Sequence, residues 1–130
     1  MSPYKVLIVD DDPDDREIMN EAFLMQGSTH HLILSSAKEM FLYLQGVVED
    51  KDLPLLIISD LRMPVTSGLE LMQTLKGIQR YQHIDVLLYS TSSISTHLEK
   101  CLALGAKEYF TKPSSMIGYE EFAKRISSCI

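Results

Sequence analysis

Apolar residues recur along the chain in short, nearly unbroken runs: KVLIV at 5–9, HLILS at 31–35, LLIIS at 55–59, DVLLY at 85–89 and EYF at 108–110. Runs of this kind suit strands covered on both faces, the setting of a central parallel sheet. Between them the apolar positions fall three and four residues apart, which predicts helices over 15–27, 37–49, 67–79, 95–105 and 119–130. In the first, Ile18, Ala22 and Met25, with Met19 and Phe23 beside them, form the expected inward stripe. Gly27 supplies its stop, and Gly105 stops the fourth helix in the same way. Strand and helix alternating five times predict an α/β fold, a doubly wound parallel sheet with right-handed crossovers. Ligands of such sheets bind beyond the carboxyl ends of the strands.

Those ends carry a distinctive set of side chains. The first strand runs into VDDDPDD, with Asp10 and Asp11 at its edge and Asp12, Asp14 and Asp15 opening the next helix. The third ends at Asp60, the fourth offers Ser90 and Thr91, and the fifth offers Lys112 ahead of Pro113. Acidic residues at a helix start are favoured by the helix dipole, so Asp12, Asp14 and Asp15 read as caps. Singly, Asp10, Asp11 and Asp60 would read as caps or turn formers too. Their coincidence with Ser90 and Lys112 at four strand ends is not a requirement of turn chemistry. Carboxylates gathered at one rim repel each other and need a counter-charge. A hard cation such as Mg²⁺, which takes one or two carboxylates plus water and a phosphate oxygen, supplies it. An Asp60 oxygen could then attack phosphorus, with the cation, Lys112 and Ser90 spreading the charge.

Composition narrows the partners. The net charge of −6, from 18 acidic and 12 basic residues, argues against nucleic acid, because no basic patch faces the phosphates. With 45% hydrophobic and 23% charged residues the chain has the profile of a soluble globular protein. No apolar stretch reaches membrane-spanning length and no signal peptide is evident, so no membrane role and a cytoplasmic location are expected. Cys101 and Cys129 fit no metal or redox motif and read as reduced thiols. His30, His31, His83 and His97 are scattered and read as surface or core-edge residues. Met19, Met25, Met40, Met63 and Met72 read as packing, as do Tyr119 and Phe122, while Lys124 and Arg125 complement a helix dipole.

From Lys5 to about Ile126 the chain resembles the receiver domain of bacterial two-component response regulators. Asp10 and Asp11 match the family's acidic pair, and Asp60 in SDLRMPVTSG matches its phosphoacceptor, with Met63, Pro64 and Gly68 completing the loop. The resemblance implies the strand order 2-1-3-4-5. It implies an Mg²⁺ site built from Asp11, Asp60, the main-chain carbonyl of Arg62 and, through water, Asp10. Ser90 and Tyr109 take the places of the hydroxyl and aromatic switch residues, Thr91 that of the small residue directly after the hydroxyl one, and Lys112-Pro113 that of the lysine and its cis-peptide partner. In the family a sensor histidine kinase or histidine phosphotransfer protein donates the phosphoryl group, and the altered surface changes protein partners. Residues 1–130 are thus expected to be one stand-alone receiver without an output domain, monomeric or weakly dimeric, and not an enzyme beyond its own phosphoryl transfer and autodephosphorylation.

The chain departs from the family pattern at several points. Arg62 sets a long cation beside the acceptor, and Thr91 is larger than the usual Ala or Gly, so both are expected to modulate access and phosphate lifetime. The stretch MFLYLQGVVEDKDLP implies a long second helix and loop, and with DDDPDDRE it resembles stand-alone receivers partnered with sensor kinases, including phytochrome-type ones. Two alternatives stay open on the sequence. One is a phosphatase resembling the haloacid dehalogenases, with Asp10 as nucleophile, although the Asp-x-Asp-x-Thr/Val pattern is incomplete here. The other is a pseudo-receiver, an interaction module never phosphorylated.

Overall fold

The four residues of Val6–Val9 (β1) are all buried, the consequence of a strand with helices against both faces. The computed structural model describes residues 4–91 and 95–130, and side chains except those of 95–97. Beyond β1 the order is α1 (Pro13–Met25), β2 (His31–Leu34), α2 (Ala37–Gly46), β3 (Leu56–Asp60), α3 (Gly68–Lys76), β4 (Asp85–Ser90), α4 (Ser95–Ala103), β5 (Glu108–Thr111) and α5 (Met116–Ser127). The sheet is parallel throughout, in the expected order β2-β1-β3-β4-β5.

Alternation along the strands sorts the core into two layers. Leu7, Val9, Ile57, Val86 and Leu88 meet α2, α3 and α4, through Met40, Leu44, Leu71, Met72, Leu75 and Cys101. Val6, Ile8, Ile58, Leu87 and Tyr89 meet α1 and α5, through Met19, Ala22, Phe23, Tyr119, Phe122 and Ile126. The aliphatic strand runs are therefore two-sided.

Element ends differ from the periodic reading where a local bond outweighs the pattern. α1 starts two residues early because Asp12 caps it, accepting from the Asp14 and Asp15 N–H groups, and Pro13 is preset for the first turn. Its buried stripe is Met19, Ala22 and Phe23, and Met25 is 61% exposed rather than packed. Gly27 (φ 74°) ends the helix as expected. α2 stops at Gly46, short of residue 49, and a 3₁₀ turn follows at Asp50–Asp52. The chain turns extended at Val47, and Arg80 holds the segment that follows: its Nη2 donates to the carbonyls of Val47 (2.6 Å) and Val48 (3.2 Å), and its Nε to Asp50 (2.8 Å). α5 begins three residues early, capped by Ser115. The Lys112–Pro113 peptide is trans, against the expectation carried by the resemblance. The trans form is the intrinsically preferred one for an X–Pro bond, by about 0.5–1 kcal/mol.

Of the histidines, His31 is half-buried between Asn20 (2.8 Å) and Ser28 (2.8 Å), and burial lowers its pKa. His97 lies outside the described side chains. Cys101 is buried and Cys129 exposed, both as free thiols. Tyr119 and Phe122 are buried, as expected. Among the described residues no helix is long and apolar enough to cross a membrane.

Candidate functional site

β1 and β3 lie side by side, so their carboxyl ends deliver Asp10 and Asp60 to one rim. One carboxylate oxygen from each of Asp10, Asp11 and Asp60 falls within 4.8 Å of the others, with Asp11 exposed and the other two buried. β5 ends immediately before Lys112, whose Nζ reaches into this cluster. It lies 3.1 Å from Asp60 Oδ2, 3.2 Å from Asp10 Oδ2 and 2.7 Å from Asp15 Oδ2. The Lys112 side chain is only 9% exposed, so it acts where solvent screens it poorly.

Asp10 and Asp60 are oriented by further donors. Asp10 Oδ1 accepts the Asp12 N–H (2.9 Å), its Oδ2 accepts the Tyr89 hydroxyl (2.5 Å), and the Arg16 guanidinium holds its carbonyl (2.9 Å). Asp60 Oδ1 accepts the Arg62 N–H (3.2 Å). Burial first, then the charge of Asp10, raise the Asp60 pKa to about 6, against the opposing pull of Lys112 and the Arg62 N–H. Burial alone would lower the Lys112 pKa. The bond to Asp15, the charge of Asp10, and the bond to and charge of Asp60 outweigh it and raise it.

The loop after Asp60 is held tightly. The Leu61 N–H donates to the Tyr89 carbonyl (2.7 Å), and the Gly68 N–H donates to the Leu61 carbonyl (2.9 Å). Ser67 and Glu70 close a capping box at the start of α3. Within this loop Val65 sits at φ 68° with its side chain fully exposed, a conformation that costs a β-branched residue about 1–3 kcal/mol. Gly68 is required by proximity: a Cβ there would lie 2.2 Å from the Asp60 carbonyl oxygen and 2.9 Å from its carbon. Since backbone atoms cannot step aside cheaply, Gly68→Ala is expected to destabilise the fold by about 1–3 kcal/mol and to displace Asp60. Urea denaturation measures the first effect, and a weakened response to divalent cation the second.

Of the remaining expected residues, Ser90, Thr91 and Arg62 lie at or just after strand ends, and Tyr109, three residues before Lys112, lies on β5. Ser90 is buried at the end of β4, in register with Thr111, and its carbonyl accepts the Lys112 N–H (2.8 Å). Strand alternation turns Ser90 and Tyr109 to the same face of the sheet, where half-buried Tyr109 packs against the layer of α2, α3 and α4. Thr91 and Arg62 are exposed, and Arg62 lines a cleft with Leu61, Ser67, Leu69, Lys100 and Cys101.

Two residues of the site escaped the sequence reading. Asp15, read as a cap, makes the shortest of the three Lys112 contacts; the capping itself falls to Asp12. Tyr89, read as part of an apolar strand, places its hydroxyl on Asp10. The sequence signal that could have found Tyr89 is its polar tip at the end of an otherwise aliphatic run; the structure sets it in register with Asp60.

Residues 6–123 match the family model described as response regulator receiver domain. Among curated proteins, the two-component response regulator ORR8 of Oryza sativa subsp. indica is 31% identical, over 97% of this chain and all of its own. ARR6 of Arabidopsis thaliana, also a two-component response regulator, is 32% identical over 85% of this chain and 62% of its own. Among solved structures, response regulator RPA3017 in red light signaling of R. palustris superposes with a TM-score of 0.81 at 25% identity, covering 95% of this chain and 90% of that one. The Mn(2+)-bound form of response regulator Rcp1 has a TM-score of 0.78 at 24% identity, over 97% and 93%, a likeness of fold.

Proposed function

Since this chain belongs to the response regulator receiver domain family, a class of signalling domains rather than classical enzymes, we propose that it accepts a phosphoryl group on Asp60. The donor is a phosphohistidine of a sensor histidine kinase or histidine phosphotransfer protein. The observation that carries the reading is the convergence of Asp10, Asp11 and Asp60 with the Lys112 ammonium 3.1 Å from Asp60 Oδ2.

The donor set suits Mg²⁺. It is all hard oxygen, and a separation of up to 4.8 Å is compatible with octahedral coordination at about 2.1 Å in which one carboxylate acts through water. Asp11, Asp60 and the Arg62 carbonyl would hold the ion, with Asp10 reaching it through water. When bound, it would neutralise phosphoryl oxygens and lower the charge that opposes attack by a carboxylate. The Asp60 pKa of about 6 points the same way: its carboxylate is under-compensated and gains from a second cation.

The chain's own residues then do the rest. An Asp60 oxygen forms the new O–P bond as the N–P bond of the donor breaks, and the electron pair leaves with the imidazole nitrogen. Lys112 holds a phosphoryl oxygen, and the tight loop through Leu61 and Gly68 keeps Asp60 in line. Ser90 is drawn towards the acquired phosphoryl group, and Tyr109 follows on the same face of the sheet, altering the surface offered to a protein partner. Onward relay of the group is the other output. The state is monomeric or weakly dimeric, in the cytoplasm. Exposed Arg62 and Thr91 modulate the approach of water and so the lifetime of the acyl phosphate.

Acetyl phosphate with Mg²⁺ tests this. Intact mass is expected to rise by one phosphoryl group, mapped to residue 60 and abolished by EDTA. An unchanged mass would leave a non-phosphorylated interaction module as the better description.

A further inference from the structure

We propose that Tyr89 is a positioning residue of the acidic pocket, its phenol O–H fixing the Asp10 carboxylate and with it the oxygen arrangement presented to a divalent cation. The inference rests on the reading of that pocket as a cation and phosphoryl site, and it assigns a role to a side chain lying on the opposite face of β4 from Ser90.

Tyr89 is wholly buried. Its ring stacks on Phe110 (centroids 5.3 Å apart, planes at 12°), which stacks in turn on Phe122 at 4.3 Å. For that packing a phenylalanine would serve equally. A buried hydroxyl is costly without a partner, so its retention here has to be explained by the bond it makes. That bond is 2.5 Å long and runs to Asp10 Oδ2. Burial, with the neighbouring Asp10 charge, raises the Tyr89 pKa well above its usual value, so the phenol stays a donor.

Three contacts make the residue a hub. Its hydroxyl holds Asp10, its ring lies 5.1 Å below the Lys112 ammonium, and its carbonyl receives the N–H of Leu61, the residue after Asp60. Asp10 is thereby heavily engaged, with the Asp12 N–H on Oδ1 and Tyr89 and Lys112 on Oδ2, and keeps acceptor capacity on Oδ1 for a water. Asp11 and Asp60 keep more of their acceptor capacity for a metal, which agrees with Asp10 acting through water. Without the hydroxyl, Oδ2 would depend on Lys112 alone, and that ammonium is shared among three carboxylates.

Tyr89→Phe keeps the ring, the stack and the backbone bond, and removes one O–H. By calorimetric titration its Mg²⁺ dissociation constant is expected to rise roughly 10- to 100-fold, the usual effect of losing an outer-shell partner. A second readout uses the unsubstituted chain with ¹³Cζ-labelled tyrosine, its six signals resolved by NMR and Tyr89 assigned through contacts to Phe110. The Tyr89 resonance is expected to shift on Mg²⁺ addition while that of Tyr81 does not. An affinity within twofold of the original, or a Tyr89 signal indifferent to Mg²⁺, overturns the role, and the NMR arm decides should Tyr89→Phe fold poorly. Asp11→Asn separates the two levels of inference. If the unsubstituted chain binds no Mg²⁺, the pocket reading falls and Tyr89 with it. If it binds, Asp11→Asn weakens binding and Tyr89→Phe does not, only the role of Tyr89 falls.

Discussion

Asp60→Asn is expected to abolish phosphoryl uptake and, in the same stroke, to make the metal-free protein more stable at neutral pH. The first effect follows from chemistry, because an amide cannot form the acyl phosphate. The second follows from the electrostatics of the cluster. Folding raises the Asp60 pKa from 3.8 to about 6, through burial and the charge of Asp10. A carboxylate whose pKa rises on folding binds its proton more tightly in the native state, so its ionised form opposes folding. The penalty is complete above about pH 6 and vanishes as pH falls below 3.8. A tenfold change in proton affinity corresponds to about 1.4 kcal/mol, and the open rim screens part of the effect, so the gain in Asp60→Asn is about 1–3 kcal/mol. Urea denaturation in EDTA at a series of pH values measures it. The gap between the two proteins should open as pH rises through 3.8–6, and added Mg²⁺ should narrow it by stabilising the unsubstituted chain. Equal stability at neutral pH would mean that Lys112 already balances the cluster without a metal.

The strands were legible because their runs are apolar on both faces and helices intervene at every step, and their order because the residues at the strand ends resemble a family of known topology. Asp60 and Lys112 were legible because they fall at strand ends, where topology alone brings together residues 52 positions apart. What failed was local. Helix spacing carried α2 past Gly46, but the backbone turns extended at Val47, and the carbonyls of Val47 and Val48 are held by Arg80, a residue more than thirty positions on. Spacing also placed Met25 inward, although α1 meets the sheet through Met19, Ala22 and Phe23. Asp15 and Tyr89 were missed for a related reason. Each has an adequate local explanation, a cap in one case and strand packing in the other. Only the contacts to Lys112 and Asp10, 97 and 79 residues away, show the second role. Side chains whose local reading is sufficient conceal their distant partners.

Lys112→Met is expected to have the opposite sign to Asp60→Asn. The ammonium is the one cation reaching Asp10, Asp15 and Asp60 among the described residues, and the side chains of these acids are 1%, 23% and 8% exposed. Removing one partner of a buried ion pair leaves charge uncompensated and costs about 3–5 kcal/mol. Methionine preserves most of the stem's volume, which isolates the charge from the packing. The loss should be largest at neutral pH and recede in acid, as the cluster takes up protons. Combining Lys112→Met with Asp60→Asn should restore part of the loss, because fewer carboxylates then lack a counter-charge; the two changes are coupled by about 0.5–3 kcal/mol rather than additive. Lys112 also competes with any divalent cation for the same oxygens, so Mg²⁺ should bind Lys112→Met more tightly and stabilise it more. Phosphoryl transfer to it should nonetheless slow, since tighter metal binding does not replace a positive group aimed at the transferring oxygens. Denaturation, titration and transfer rate therefore move in different directions in one variant. Stability and Mg²⁺ affinity both unchanged would show that the lysine is solvated away from the carboxylates, and the electrostatic account of the pocket would fail with it.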